Sequence, residues 1–170
     1  NSTGSFNTAN GSVALSFNTT GSENTAVGYA TLFNNTVGTG NTGIGAGALT
    51  SNSSGSGNTA NGYASLYSNT TGINNTAAGF NALRFNTTGY ENCATGYSSL
   101  YANTTGYENT ATGVNSLANN TTGNDNSAFG VGSLGSNSEG VQNTGVGAYA
   151  LNANNTGNNN TAMGAKALQF

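Results

Sequence analysis

Apolar and polar positions recur along this chain with a period of seventeen residues, without insertion or deletion from one end to the other. The clearest copy is Asn75-Thr-Ala-Ala-Gly-Phe-Asn-Ala-Leu-Arg-Phe-Asn-Thr-Thr-Gly-Tyr-Glu91. With Asn75 as position one, position one is Asn in every copy, position five is Gly and position nine is Leu. Position twelve is Asn and position fifteen is Gly, again without exception. Residues at one position of successive copies are called a file below. The ladder residues of the reference copy are Asn75, Gly79, Leu83, Asn86 and Gly89, each repeated every seventeen residues.

No apolar spacing of helical type is sustained over the ~12 residues that an isolated helix requires. Asn-Thr-Ala-x-Gly-x reads instead as a short strand with alternating faces. Ala-Leu at positions eight and nine starts a return path and is a candidate second strand. The Gly of position fifteen, following Asn-Thr-Thr, reads as a turn that accepts positive φ. Strict phase over ten copies marks a solenoid in which each unit stacks on the next. The predicted fold is therefore all-β, a parallel β-solenoid of ten 17-residue coils forming one array over residues 1–170. At ~4.8 Å per coil such a rod is ~48 Å long.

Strand parity sorts the faces. Positions one, three and five are small and nearly constant, as a tight interior demands, and position eight is small throughout. Leu at position nine adds an inward aliphatic file. Asn at positions one and twelve predicts amide ladders along the axis, because a buried amide without partners is costly. Positions four and six then point outward and carry the interface candidates Tyr29, Tyr63, Phe80, Tyr97 and Phe129. One Leu and a few Ala methyls bury little surface against the entropy of ordering seventeen residues. The pattern therefore predicts homo-oligomeric contact between chains, lateral as well as end to end. Asn1–Phe6 and Asn160–Phe170 are the back and front parts of one unit, so the expected array continues itself head to tail.

Composition changes this picture in few places. The chain has 27 Gly, no Pro, Trp or His, two basic and five acidic residues, and a net charge of −3. Such polarity would ordinarily signal disorder, but an exact period over ten units does not survive in a chain with no packing to preserve. Scarce Lys and Arg leave no electrostatic footprint for nucleic acid. No apolar run approaches the ~20 residues of a membrane span. Without His, the usual bases for Ser or Cys nucleophiles are missing, so no enzyme and no cofactor is expected. Gly38-Thr-Gly-Asn-Thr-Gly43 matches a dinucleotide-loop pattern by letters only, arising where two units meet. Low charge suits an extracellular or virion-surface polymer.

Four features carry candidate chemistry beside a plainer reading. Glu91, Glu108 and Asp125 occupy position seventeen of consecutive coils; they are weak candidates for a bridging cation or a solvated corner. Tyr90 and Tyr107 share position sixteen, and Phe33, Tyr67 and Tyr101 share position ten, as ladders or as platforms for sugars or partner chains. Asn86 and Asn103 open N-x-[ST] acceptors and are candidates for glycosylation as well as for the amide ladder; Thr76, Thr87 and Thr88 are candidates for O-linked sugars. Cys93 stands where other copies have Thr or Ser, as a near-isostere or a reactive thiol.

The unit Asn-Thr-Ala-x-Gly-x-x-Ala-Leu-x-x-Asn-Thr-Thr-Gly-x-x resembles repeats of phage tail-fibre-like and bacterial surface-fibre proteins. It is distantly similar to the head repeats of trimeric autotransporter adhesins, parallel β-rolls with a small-residue-x-Gly core. That resemblance implies a rigid shaft or an adhesive head outside the cell or on a virion, often as a homotrimer. The expected function is a structural, filament-forming fibre: shaft, matrix fibre or surface appendage. The alternative is an adhesin or tail-fibre segment that binds surface glycans. A lesser alternative is an ice-binding rod presenting the Thr file of position two.

Overall fold

The computed structural model describes residues 1–170 and has no helix, so none is long and apolar enough to cross a membrane. Ten three-residue strands, from β1 (Thr8–Asn10) through β5 (Thr76–Ala78) and β6 (Cys93–Thr95) to β10 (Thr161–Met163), form one sheet in sequence order. Every pairing is parallel and in register at seventeen residues, so that Thr76 faces Cys93 and Ala77 faces Ala94. The chain is a β-solenoid. Coils are numbered here by their strand, coil 1 beginning at Asn7.

The strand is shorter than the sequence pattern predicts. It covers positions two to four only, and positions eight and nine form no second strand. The reason lies in the backbone. Leu at position nine has φ between 47° and 54° in all ten coils, and positions seven and seventeen are also left-handed, as at Asn81 (57°) and Glu91 (55°). Left-handed residues at positions seven and nine bend the chain too tightly for an extended segment. A left-handed non-glycine residue costs on the order of 1 kcal/mol, and at position nine burial of the Leu side chain offsets it. Leu32 through Leu134 are fully buried.

Short strands do not mean weak stacking. Of 118 backbone hydrogen bonds, only 18 lie within the strand ladders. The remainder largely tie each coil to the next around the turns. The Leu83 amide donates to the Ser99 carbonyl, Thr87 to Thr104, Asn81 to Tyr63 and Gly79 to Asn61. The whole perimeter thus behaves as a parallel sheet although few residues have strand dihedrals.

The interior is a stack of Ala, or Gly at Gly43 and Gly145, at position three, a small residue at position eight and Leu at position nine, all buried through the central coils. Buried hydroxyls at position eight find carbonyls: Thr31 Oγ1 donates to Gly45 at 2.8 Å and Ser133 Oγ to Gly145 at 2.9 Å. Cys93 is a half-buried free thiol standing in the Thr file, between Thr76 and Thr110.

The two invariant glycines serve different needs. Position five has φ from 116° to 145°, open to glycine alone, and a Cβ at Gly79 would press on the Gly96 carbonyl. Position fifteen is not left-handed, which corrects the positive-φ turn expected there. Its requirement is steric. A Cβ on Gly89 would run into the Gly106 carbonyl oxygen and the Asn86 Oδ1, with the Asn103 Nδ2 at 2.8 Å.

Two substitutions separate these constraints from ordinary core loss. Leu83→Ala should cost about 2–5 kcal/mol through transfer and cavity terms. Gly89→Ala adds a methyl yet should cost more than about 3 kcal/mol, because backbone on the adjoining coil must move. Urea unfolding midpoints with unchanged slope would test both; a Gly89→Ala protein as stable as the parent would contradict the steric account.

Candidate functional site

Position one and position twelve build a buried amide spine. The Asn75 side chain donates through Nδ2 to Asn58 Oδ1 on the preceding coil at 3.1 Å and to the Gly89 carbonyl of its own coil at 2.8 Å. Its backbone amide also donates to Asn58 Oδ1, at 3.0 Å. Asn86 Nδ2 donates to Asn69 Oδ1 at 2.8 Å and to the same Gly89 carbonyl at 2.9 Å. The Gly89 oxygen therefore accepts two amide protons, one from each ladder, and both of its lone pairs are used. The same three-residue knot recurs from Asn7, Asn18 and Gly21 to Asn143, Asn154 and Gly157. Side-chain amides thus join opposite parts of the coil internally while also running lengthwise.

This arrangement decides the fate of the N-x-[ST] acceptors. Asn86 and Asn103 are fully buried, and both protons of each amide are bonded. Neither can carry a glycan in the folded rod, so the sequence reading of them as acceptors is corrected in favour of the ladder. The Thr candidates divide. Thr87 is half-buried, its hydroxyl donating to the Thr104 carbonyl at 3.0 Å. Thr76 and Thr88 are exposed.

The acidic file does not make a metal centre. Glu91, Glu108 and Asp125 lie on successive coils along one edge, and no three His, Cys, Asp or Glu side chains gather to hold an ion. Spreading over two coil steps prevents convergence on one point. The Glu108 carboxyl is instead pushed above its ordinary value, chiefly by a hydrogen bond shared with Asp125. Desolvation and the charges of Asp125 and Glu91 add to that. Beside it, partial desolvation and then the charges of Tyr107 and the neighbouring carboxylates raise the Tyr90 phenol.

Outward aromatics form stacked files. Tyr90 and Tyr107 lie 4.8 Å apart with planes 3° from parallel. In a separate file, at position six, Tyr63, Phe80 and Tyr97 stack at 5.1 and 5.4 Å. Phe17 with Phe33, and Phe85 with Tyr101, meet edge to face, a recurring pair between position eleven and position ten of the next coil. The interface candidates Tyr29, Tyr63, Phe80, Tyr97 and Phe129 are all exposed, by 65%, 54%, 44%, 52% and 42%. Sequence parity missed Arg84 as a site residue. Its guanidinium stands over the rings of Tyr67 and Phe85, 5.6 Å from each centroid, and the only signal was a lone cation in an aromatic file.

No protein-family model, curated protein or solved structure matches the chain.

Removing one amide from the spine strands several buried groups at once. Asn86→Ala leaves the Asn69 Oδ1, the Gly89 carbonyl and the Asn103 Nδ2 each short of a partner, and should cost about 3 kcal/mol or more in chemical unfolding. A change of a few tenths would show that the spine does not hold the rod. The Glu108 carboxyl binds its proton more tightly folded than unfolded, so stability should fall as pH rises through its raised folded value. Thermal midpoints followed from about pH 4 to about pH 7 should show that decline, and Glu108→Gln should flatten it.

Proposed function

We propose that the chain is a structural, extracellular fibre protein whose rod serves as shaft, matrix fibre or surface appendage. One observation carries this reading: the amide spine and the inter-coil backbone bonds run through the coils with unbroken phase. Nothing in the repeat limits its length. A coil added beyond β10, from the same chain or another copy, meets the donors and acceptors that every internal coil meets.

Two other readings receive less support. Glycan binding on Tyr90 and Tyr107 meets the difficulty that each ring covers a face of the other. An ice-binding face needs a flat, uniform array. Beside the Thr file of position two, position four varies from Asn61 and Ala78 to Phe129 and Met163, which makes that face ridged.

The test is assembly. Purified protein at rising concentration should form filaments of uniform width, and aligned samples should diffract meridionally at ~4.8 Å, the strand spacing. Discrete rods of constant length at every concentration would remove self-assembly from the proposal.

A further inference from the structure

The two outward aromatic files break on the same coil. File six reads Tyr29, Ala46, Tyr63 from coil 2 to coil 4, and file ten reads Phe33, Thr50, Tyr67. From coil 4 to coil 6 the rings of file six close on one another, Phe80 lying between Tyr63 and Tyr97. On coil 3 both rungs are missing, and Gly47 lies between them. What remains is an open cavity of about 520 Å³, with Tyr29 and Phe33 on one side, Tyr63 and Tyr67 on the other, and Arg84 at one end. That volume suits a small ligand.

Arg84 gives the cavity its chemistry. It is one of only two basic residues in a chain of net charge −3. Its Nη1 donates to the neutral Asn81 Oδ1 at 2.9 Å, and its Nε–H is buried without a partner. A guanidinium held over Tyr67 and Phe85 by that contact is pre-organised to receive a carboxylate. The walls are mostly apolar, with four aromatic side chains among the lining residues. A pyranose sets its C–H face against an aromatic ring and points its hydroxyls to the edge. Thr50 offers no further donor, since its hydroxyl is already bonded to the Gly47 and Ala30 carbonyls at 2.9 and 3.0 Å. A second copy of this chain is a poorer occupant. The rings beside its carboxylates Glu91 and Glu108 are Tyr90 and Tyr107, which are stacked on each other.

From these observations we infer that the notch on coil 3 binds an acidic saccharide. One uronate-type ring lies between the Tyr29/Phe33 and Tyr63/Tyr67 walls with its carboxylate on Arg84. This site is separate from the spine that makes the rod, so binding and assembly are read independently.

The experiment titrates the full chain calorimetrically with an oligogalacturonate and, in parallel, with a neutral galactose oligomer of equal length. Saturable binding of the acidic oligomer is expected, with the neutral one at least tenfold weaker. Arg84→Gln should weaken the acidic oligomer about tenfold, and Ala46→Tyr, which completes file six, should abolish binding. Circular dichroism and filament imaging should be unchanged in both variants. No binding at millimolar oligomer, equal binding of acidic and neutral oligomers, or full binding by Arg84→Gln would each overturn the inference. So would loss of lateral association in Ala46→Tyr without any saccharide binding by the parent, which would assign the notch to a second copy. The net negative charge of the chain works against unspecific capture of a polyanion, which sharpens the comparison.

Discussion

A buried primary amide must find partners for two protons and an oxygen, and this rod is arranged around that demand. The cost of leaving such a group unpaired in a dry interior is a few kcal/mol. Twenty Asn at positions one and twelve would make an unfoldable core if each had to be solved separately. Stacking solves them together. Each amide donates to the one below and accepts from the one above, and its second proton goes to a glycine carbonyl within the coil. The solution exists only if every coil has the same register, so a one-residue slip anywhere would break both ladders. Uniform period is therefore a consequence of the amide chemistry, and Gly at position fifteen follows because its carbonyl must come close enough to serve both ladders.

The same logic explains why the rod tolerates so small an apolar core. One Leu per coil buries modest surface, yet inter-coil hydrogen bonds continue around the turns, far beyond the three-residue strands. The left-handed Leu at position nine belongs to this bargain. Its backbone is strained, but the bend aims the side chain at the axis and keeps its amide on the carbonyl of the coil above, as Leu83 does with Ser99.

Much of this was legible from seventeen-residue spacing alone: the solenoid, the inward Ala and Leu files, the amide ladders at Asn75 and Asn86, and the outward aromatics. What escaped has physical causes. Position fifteen reads as a turn because Gly after Asn-Thr-Thr usually marks one, whereas here Gly89 is small for the sake of Gly106 and Asn86. The left-handed Leu83 was hidden because Leu has no preference for that region, and only the stack imposes it. The sequons at Asn86 and Asn103 present the same letters whether exposed or buried. The acidic file suggested an ion because proximity along the axis is readable, but convergence on a point is not. Arg84 was passed over because parity gives its direction without saying that it reaches a recess left where coil 3, two coils away, lacks its rings.

Inside and outside are thus under different rules. Positions one, five, nine, twelve and fifteen are fixed by a problem whose solution is the same on every coil, so they carry no information that distinguishes one coil from another. Positions six and ten lie outside the amide ladders and vary from coil to coil. An uninterrupted aromatic file hides ring faces and presents edges. A gap in the file uncovers two faces and adds depth. Because the spine is indifferent to what stands at Ala46 or Thr50, a rod of this kind acquires a recess by omission of a side chain, with no change to its fold. Any recognition it performs is written in those outward files, and a coil where two files fail together between aromatic neighbours, as coil 3 does, is where a concave surface becomes available.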